Sequence, residues 1–178
     1  TDIVPYRLHD GEQIAKASNL EIDFVKNDII NEPVPTEWKE KFDLVILRDV
    51  IEHIDDTKKC LKNISKLLKK GGSLYVTFPP YTSPFGGHQH TLQNIWGKIP
   101  YIHLLPTFIF RKLISSGRAP DINEVMRLRN IRLNHHKLTN AANECDFEVF
   151  HKDFFFLRPV YKMKFGLPAL RLNAISFL

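Results

Sequence analysis

The sequence predicts an α/β protein built on a doubly wound parallel sheet that carries a helical insertion. Two observations lead to this prediction. A strand–helix–strand pattern with short connections runs from Phe42 to Phe78, and such a pattern gives a right-handed parallel crossover. Acidic or polar residues directly follow the predicted strands, which is where open α/β sheets bind ligands. The 178 residues, 43% of them hydrophobic and 25% charged, suffice for one domain with a core.

The first third of the chain alternates helix and strand signals. "TDI" at residues 1–3 looks like the end of a strand, and a moderate apolar stripe predicts a helix over residues 6–20. "EIDFVK" (21–26) alternates and predicts a strand that ends at Asn27-Asp28, and the prolines of "NEPVPTEW" then predict a loop. "FDLVIL" (42–47) is apolar nearly throughout, which predicts a strand covered on both faces.

The strongest helix signal lies between residues 55 and 70. Asp55 and Asp56 supply N-cap candidates and negative charge at the helix start. One apolar stripe is formed by Cys60, Leu61, Ile64, Leu67 and Leu68. Lysines at 69 and 70, followed by Gly71-Gly72, predict that the helix ends at residue 70. "SLYVTF" (73–78) then predicts the next strand.

The pattern changes over residues 94–129, which are rich in aromatic and aliphatic residues but broken by Gly97, Pro100 and Pro106. This stretch is too long for a crossover connection and predicts an inserted helical lid. We expect the lid to pack on its own domain and not to anchor the chain in a membrane. A helix stripe then resumes at residue 134, and "FEVFHKDFFFL" (147–157) predicts one or two strands.

Composition limits the classes of partner. The formal charge of +5 favours anionic partners without identifying one. Cys60 and Cys145 lie far apart in helical contexts, so we expect no disulfide scaffold and a reducing, cytoplasmic location. The sequence contains no run of about 18 uncharged apolar residues, so it predicts no membrane span. No aromatic–basic recognition motif is present, so DNA is not expected and RNA is not favoured as a partner.

Several segments resemble, in order, motifs of the class I S-adenosylmethionine-dependent methyltransferases. These are "TDI", "FVKNDI", "FDLVILRDVIEHIDD" and "LKKGGSLYVTFPP", which fall within the first 80 residues, and later "LTNAANECDFEVF". The resemblance implies a Rossmann-like sheet, S-adenosylmethionine as methyl donor and S-adenosylhomocysteine as product. It also implies three parts: a partial cofactor-binding core (1–80), an inserted lid or acceptor-binding region after the family's fifth strand (81–133), and the C-terminal part of the core (134–178).

The resemblance is incomplete at both ends. The family's first strand and glycine-rich loop should precede Asp2, and a terminal antiparallel strand should follow "LPALRLNAISFL" (167–178). A doubly wound sheet without its first strand would expose apolar edges. We therefore expect the chain to be a fragment of a longer protein, and the alternative is a truncated module that binds the cofactor poorly.

The resemblance assigns cofactor contacts to residues at the strand ends. It implies that Asp2 binds the ribose, that Asp28 and Ile29 contact the adenine, and that Arg48 and Asp49 lie near the methionine part. The complete expected set is Asp2, Ile3, Asp28, Ile29, Arg48 and Asp49. Taken singly, Asp2 and Asp28 could equally well be helix caps or turn formers that do not contact a cofactor.

Three histidines are candidates for a catalytic base or an acceptor contact, His53, His88 and His90, and Asp49 is a further candidate base. Methyl transfer depends on positioning, and a base is needed only when the acceptor must first lose a proton. We expect "FPPYTSPFGGHQHTL" (78–92) to form an acceptor-facing loop hinged at its glycines, with His88 or His90 touching the substrate.

A metal site is an alternative role for some of these residues. Asp49, Glu52 and His53 have the i, i+3, i+4 spacing that shares one helical face. They resemble the E-x-x-E-H pattern of metal-dependent methyltransferases, in which His88 or His90 would complete the site. We favour the simpler interpretation, in which Glu52 and His53 are helix-start residues with local hydrogen bonds, and expect no metal.

The expected function is that of a methyltransferase acting on a small-molecule, glycan or lipid-linked acceptor. Two alternatives stay open: a non-catalytic or truncated methyltransferase-fold binding module, and a metal-dependent O-methyltransferase. A nicotinamide-dependent dehydrogenase would share the ribose-binding acid, but "EHI" after the fourth strand and "KKGG" before the fifth favour methyl transfer.

Overall fold

The computed structural model describes residues 1–172. The chain divides into two compact units, residues 1–147 and 148–178. The first unit contains α1 (Pro5–Ala17), β1 (Phe42–Arg48), α2 (Thr57–Leu67), β2 (Leu68–Thr77), α3 (Thr107–Ile114), α4 (Ala119–Ile131) and α5 (His135–Asn143). The second contains β3 (Phe155–Leu157), α6 (Val160–Phe165) and β4 (Leu170–Arg171). None of the helices in the described part of the chain has the length and apolar content that crossing a membrane requires.

The core of the first unit is a parallel pair of strands. β1 and β2 pair from Leu44–Ser73 to Arg48–Thr77, which confirms the predicted parallel strand–helix–strand unit. The resemblance implies that they are the family's fourth and fifth strands. One face of the pair packs against the main apolar cluster through Val45, Leu47, Leu74 and Val76. This α/β arrangement fits a Rossmann-like fold.

The opposite face of the pair is exposed at Leu44, Ile46 and Tyr75. The prediction that β1 is covered on both faces is therefore wrong for residues 1–172. The reason lies in where the helices pack, since both α2 and α5 join the apolar clusters that contact Leu74. A sheet with helices on both faces remains an expectation from the resemblance.

α2 begins as predicted but ends three residues early. The Asp56 side chain accepts a hydrogen bond from the Lys59 amide at 2.8 Å, which is the expected N-cap. The helix stops at Leu67 because Leu68 is extended and pairs with Phe42 of β1. Lys69 and Lys70 therefore lie in β2 and not in the last helical turn. The pairing register shifts after Leu68, next to Gly71 with φ +80°.

The N-terminal segment keeps its helix but not its predicted strand. α1 forms where the sequence predicts it. Residues 21–26 form only a single parallel bridge between Asp2 and Lys26, so the predicted strand is wrong as a regular element. With one bridge as its sole pairing in the described chain, the segment has no ladder, and Ile22 is exposed. The bridge still places Asp2 beside the segment that leads to Asp28.

Residues 81–133 build an apolar cluster of their own. α3 and α4 alternate with short 3₁₀ turns at Gln89–Thr91, Ile95–Lys98 and Ile102–Leu104. The buried members of this cluster are Leu92, Ile102, Phe110, Ile114 and Val125. The buried Arg129 donates hydrogen bonds to the carbonyls of His103 and Leu105 and so fastens α4 to the segment before α3. That this region is an insertion stays a prediction.

The C-terminal third keeps its predicted helix and forms one of the one or two predicted strands. α5 forms, and the Asn134 side chain caps its N-terminus by accepting a hydrogen bond from the Lys137 amide. β3, which pairs with β4 in antiparallel fashion, is the one strand that forms within "FEVFHKDFFFL" (147–157), where one or two were predicted; residues 148–154 contain no strand. The Phe147 amide donates a hydrogen bond to the Ala142 carbonyl, and the Phe147 side chain packs against the apolar cluster that includes Ala142 of α5. These contacts hold the chain against α5 at this point. Residues 173–178, and with them the expected terminal strand, lie outside the described residues.

Candidate active site

The site begins where the two parallel strands end. The Asp49 amide donates to the Thr77 carbonyl at 2.8 Å, which ties the residue after β1 to the end of β2. Asp49 has φ +54°, and this left-handed conformation turns the chain sharply into a 3₁₀ turn at Ile51–His53. Ile51 is fully buried in the main cluster. It anchors the turn and thereby fixes the positions of Glu52 and His53.

The turn and the loop after β2 bring three predicted residues together. Ligand atoms of Glu52, His53 and His88 all lie within 4.8 Å of one another. The rings of His53 and His88 meet edge to face, with centroids 4.7 Å apart. His90 lies at the margin, with its ring centroid 5.6 Å from that of His88. Two of the three candidate histidines therefore share one cluster, and the third borders it.

A residue that sequence reasoning missed completes the cluster. Nδ1 of His53 lies 2.9 Å from Oε1 of Glu124 on α4. Arg127, one turn further along α4, donates to both oxygens of Glu124 and to the His53 carbonyl. It also contacts Asp55 at 2.9 Å. Glu124 is 71 residues from His53, and an E-x-x-R pair on a helix is typical of any surface ion pair.

The hydrogen bonds determine which nitrogen of His53 is available. The hydrogen bond from Arg127 lowers the pKa of Glu124, so this carboxyl group is ionised. An ionised carboxylate only accepts hydrogen bonds, so Nδ1 of His53 donates and Nε2 carries the lone pair. Nε2 lies 4.0 Å from Oε1 of the buried Glu52. His53 thus presents a basic nitrogen toward Glu52 and His88.

His88 is an uncharged neighbour. Burial lowers its pKa to about 4, and positive charge on His53 or His90 would act in the same direction. Burial also lowers the pKa of His90. At neutral pH both imidazoles are therefore neutral and able to donate and accept one hydrogen bond each.

The predicted cofactor residues make local hydrogen bonds. Oδ1 of Asp2 accepts from the Val4 amide at 2.8 Å, and Arg7 lies 3.8 Å from Oδ2. Asp28 accepts from the Ile30 and Asn31 amides and from the Asn31 side chain, and these bonds lower its pKa. Both carboxylates thus serve as turn formers, one of the two roles expected of them.

These local bonds leave room for a ligand. A carboxylate offers about four lone-pair positions, and Asp2 uses one of them for Val4. Asp2 can therefore still accept from ribose hydroxyls, and Asp28 from an amino group. The Ile29 carbonyl accepts from Asn63 at 2.7 Å, which fixes the backbone beside Asp28. Ile3 is exposed. The donor and acceptor set fits the adenosine part of S-adenosylmethionine.

A metal could use part of the same cluster. Glu52, His53 and His88 offer one carboxylate and two imidazoles, a donor set suited to zinc and similar ions. His53 would coordinate through Nε2 while Nδ1–H donates to Glu124, the usual arrangement of a metal-bound histidine. Asp49, which the sequence placed in this set, is not part of the group found within residues 1–172.

Two comparisons with known proteins identify the family. Residues 1–114 match the family model described as "Methyltransferase domain". Over 62 residues the chain is 34% identical to the "Ubiquinone biosynthesis O-methyltransferase" of Pelagibacter ubique (strain HTCC1062), a match that covers 35% of this chain and 24% of that protein. The match thus spans about a quarter of the relative's length. The chain belongs to the class I S-adenosylmethionine-dependent methyltransferase family.

Proposed function

We propose that the protein transfers a methyl group from S-adenosylmethionine to a hydroxyl oxygen of a small-molecule acceptor, with His53 as the base. The observation that carries the proposal is the hydrogen bond between Glu124 and Nδ1 of His53, which leaves Nε2 basic at the carboxyl end of β1. The relative from Pelagibacter ubique is named as an O-methyltransferase, which supports oxygen as the methylated atom. Glycan and lipid-linked acceptors offer the same hydroxyl chemistry.

The cluster's residues have distinct parts in this reaction. When bound, S-adenosylmethionine supplies an electrophilic methyl group, and Asp2 and Asp28 are the residues that would hold its adenosine. Nε2 of His53 removes the acceptor's hydroxyl proton, which makes the oxygen a stronger nucleophile. Glu124 then stabilises the imidazolium ion that forms, as the carboxylate does in other carboxylate–histidine pairs. His88, being neutral, orients the hydroxyl by a hydrogen bond.

Replacing the base tests the proposal. We expect His53→Gln in the full-length protein to lower kcat by about 10²- to 10⁴-fold, measured with labelled methyl donor and a panel of phenols, catechols and sugar or lipid-linked alcohols. Donor binding, measured by calorimetry, should not change. His136→Gln is the control, because this histidine is exposed at the start of α5. Wild-type turnover in His53→Gln would rule out His53 as the base.

A second measurement separates an enzyme from a binding module. We expect Asp2→Ala to weaken donor binding strongly, whereas Asp10→Ala, in the exposed part of α1, should leave it unchanged. Donor binding with no turnover on any acceptor in the panel would favour the non-catalytic alternative. If the wild-type protein neither binds the donor nor methylates any acceptor in the panel, the proposal of methyl transfer is contradicted.

The three-residue cluster favours a second candidate, a metal-dependent O-methyltransferase. The supporting observation is the 4.8 Å grouping of Glu52, His53 and His88. Calorimetric titration with Zn²⁺ and Mg²⁺ tests it without reference to activity. We expect one site per chain, abolished in His88→Ala and retained in His90→Ala. This candidate would be excluded if neither ion gives a binding heat, or if the binding heat in His88→Ala equals that of the wild-type protein.

A further inference from the structure

The segment that precedes and includes α3 exposes an unusual amount of apolar surface. Ile95 is 73% exposed and Phe108 75% exposed. Five further large apolar side chains of the same segment are exposed: Trp96, Ile99, Tyr101, Leu104 and Ile109. Single exposed apolar residues are ordinary, but a concentration of this size marks an interaction surface.

These side chains belong to elements that touch one another. The turns at Ile95–Lys98 and Ile102–Leu104 both pack against α3. Asn94 donates to the Leu113 carbonyl in the last turn of α3 and to the hydroxyl of Ser116, two residues after the helix. Gly97, Ile102 and Phe110 point inward and are buried. In the same elements, the side chains of Ile95, Trp96, Phe108 and Ile109 are exposed.

Uncompensated positive charge accompanies the apolar surface. Arg111 and Lys112 follow Phe108 by three and four positions and so share its exposed helical face. Lys98 ends the neighbouring turn. The sequence contains no aspartate or glutamate between Thr57 and Pro120. Among the described residues, no carboxylate pairs with Lys98, Arg111 or Lys112.

We propose that this surface, formed by Ile95, Trp96, Lys98, Phe108, Arg111 and Lys112, docks on the headgroup region of an anionic lipid bilayer. Phenylalanine and isoleucine side chains enter the acyl boundary, tryptophan lies at the headgroup level, and lysine and arginine extend along them to anionic headgroups. The proposal replaces the expectation that this aromatic segment serves only as a lid on its own domain. It does not depend on the methyl transfer proposed above.

The charges argue against other occupants. A second copy of the chain would bring Lys98, Arg111 and Lys112 against the same cations, which like-charge repulsion opposes. A nucleic acid would satisfy the cations, but the aliphatic Ile95 and Ile99 have no favourable contact with a phosphate backbone. An anionic bilayer is the partner that accommodates both the apolar and the cationic side chains.

Vesicle flotation of the full-length protein tests the proposal. We expect binding to phosphatidylcholine vesicles that contain phosphatidylglycerol, weaker binding to phosphatidylcholine alone, and partial loss of binding at high salt. Phe108→Ser should lower the partition coefficient about tenfold or more, because one large side chain no longer leaves water. Arg111→Glu combined with Lys112→Glu should lower it roughly 25-fold or more, about fivefold for each cation removed.

Two matched variants on α1 serve as controls. Ile14→Ser and Lys16→Glu change an exposed apolar residue and an exposed cation outside the proposed surface, and they should not alter binding. Circular dichroism checks that every variant is folded. Absent binding to anionic vesicles, or equal losses in surface and control variants, would overturn the proposal. So would a dimer, seen by sedimentation, that Phe108→Ser dissociates.

Discussion

His53 takes its chemical character from two residues of α4. Glu124 accepts the Nδ1 proton, and Arg127 holds Glu124 while also binding the His53 carbonyl. A histidine on a bare 3₁₀ turn would exchange freely between its two neutral tautomers. Here the carboxylate selects the tautomer with a basic Nε2, so the identity of residue 124 should be visible in the rate of catalysis.

Glu124→Gln is expected to lower kcat by at least about tenfold, with little change in KM. The glutamine amide can donate to Nδ1 and thereby favours the tautomer whose Nε2 is protonated and cannot act as a base. Steady-state kinetics measure the effect. Glu144→Gln is the matched control, because Glu144 forms an exposed ion pair with Lys58. An equal loss in both variants would contradict the positioning role.

His88 should make stability depend on pH. Its ordinary pKa of 6.5 falls to about 4 in the folded chain, so the unfolded chain binds its proton first and the free energy of unfolding falls as pH drops from 6.5 toward 4. The full difference corresponds to about 3 kcal/mol. Because the ring is partly accessible to solvent, we expect about 1–2 kcal/mol. Above this window the stability is fully present.

Urea unfolding at several pH values between 4 and 7 measures this effect. The His88→Gln variant should show a flatter dependence on pH across the window. His9→Gln, which changes an exposed histidine of α1, should keep the wild-type dependence. A dependence that His88→Gln leaves unaltered would mean that other groups are responsible.

At the scale of elements, α2 shows how short-range signals compete with strand pairing. Asp56 caps the helix as expected, because an N-cap depends only on residues within one turn. Lys69, Lys70 and Gly71 have the composition of a helix end, yet pairing of Leu68 with Phe42 draws them into β2. Pairing partners distant in sequence cannot be identified from the local pattern, and the strand predicted at residues 21–26 fails for the same reason.

In the candidate site, too, some residues could be predicted from the sequence and others could not. His53 and His88 could be predicted because each lies in the connection that follows a recognisable strand, β1 or β2. Glu124 could not, since nothing in "INEVMRLRN" indicates which residue of α4 faces the turn at Ile51–His53. The turn-forming role of Asp28 was foreseeable from its residue type. Local sequence patterns mainly fail to predict which residues come into contact when their segments are joined by irregular chain.

The N-cap of α2 is expected to contribute measurably to stability. Asp56→Ala removes the acceptor of the Lys59 amide and should lower the free energy of unfolding by about 1 kcal/mol. Chemical denaturation measures the change. Asp10→Ala, in the exposed interior of α1, should be neutral or slightly stabilising, because alanine favours helix. A loss of the same size at both positions would show that the cap is not the cause.

At the scale of the whole molecule, contacts between distant segments predict cooperative unfolding of residues 1–147. Arg127 links α4 to the turn after β1, and the Tyr81 amide bonds to the Leu133 carbonyl. The cluster around Phe110 is therefore tied to the cluster around Cys60. Two local probes report on these clusters separately: Trp96 on the first and the Cys60 thiol on the second.

The Cys60 thiol and Trp96 should report the same urea midpoint. Burial raises the pKa of Cys60 to about 12 from 9.0, which lowers its thiolate fraction about a thousandfold. Alkylation of Cys60, detected by mass spectrometry, should therefore require unfolding. Trp38→Phe leaves Trp96 as the remaining tryptophan, and its fluorescence follows residues 81–133. Separate midpoints would show that the two clusters unfold independently.

α4 has consequences for how such a protein could be recombined. One side of the helix carries Glu124, the partner of His53, while Val125 and Arg129 support the cluster around Phe110. A chimaera that exchanges residues 95–118 for those of another methyltransferase would alter the exposed surface but keep the base correctly oriented. An exchange that continues through residue 131 would replace His53's partner as well. The boundary for exchanging the exposed surface without exchanging the partner of His53 therefore lies at Arg118, before the first residue of α4.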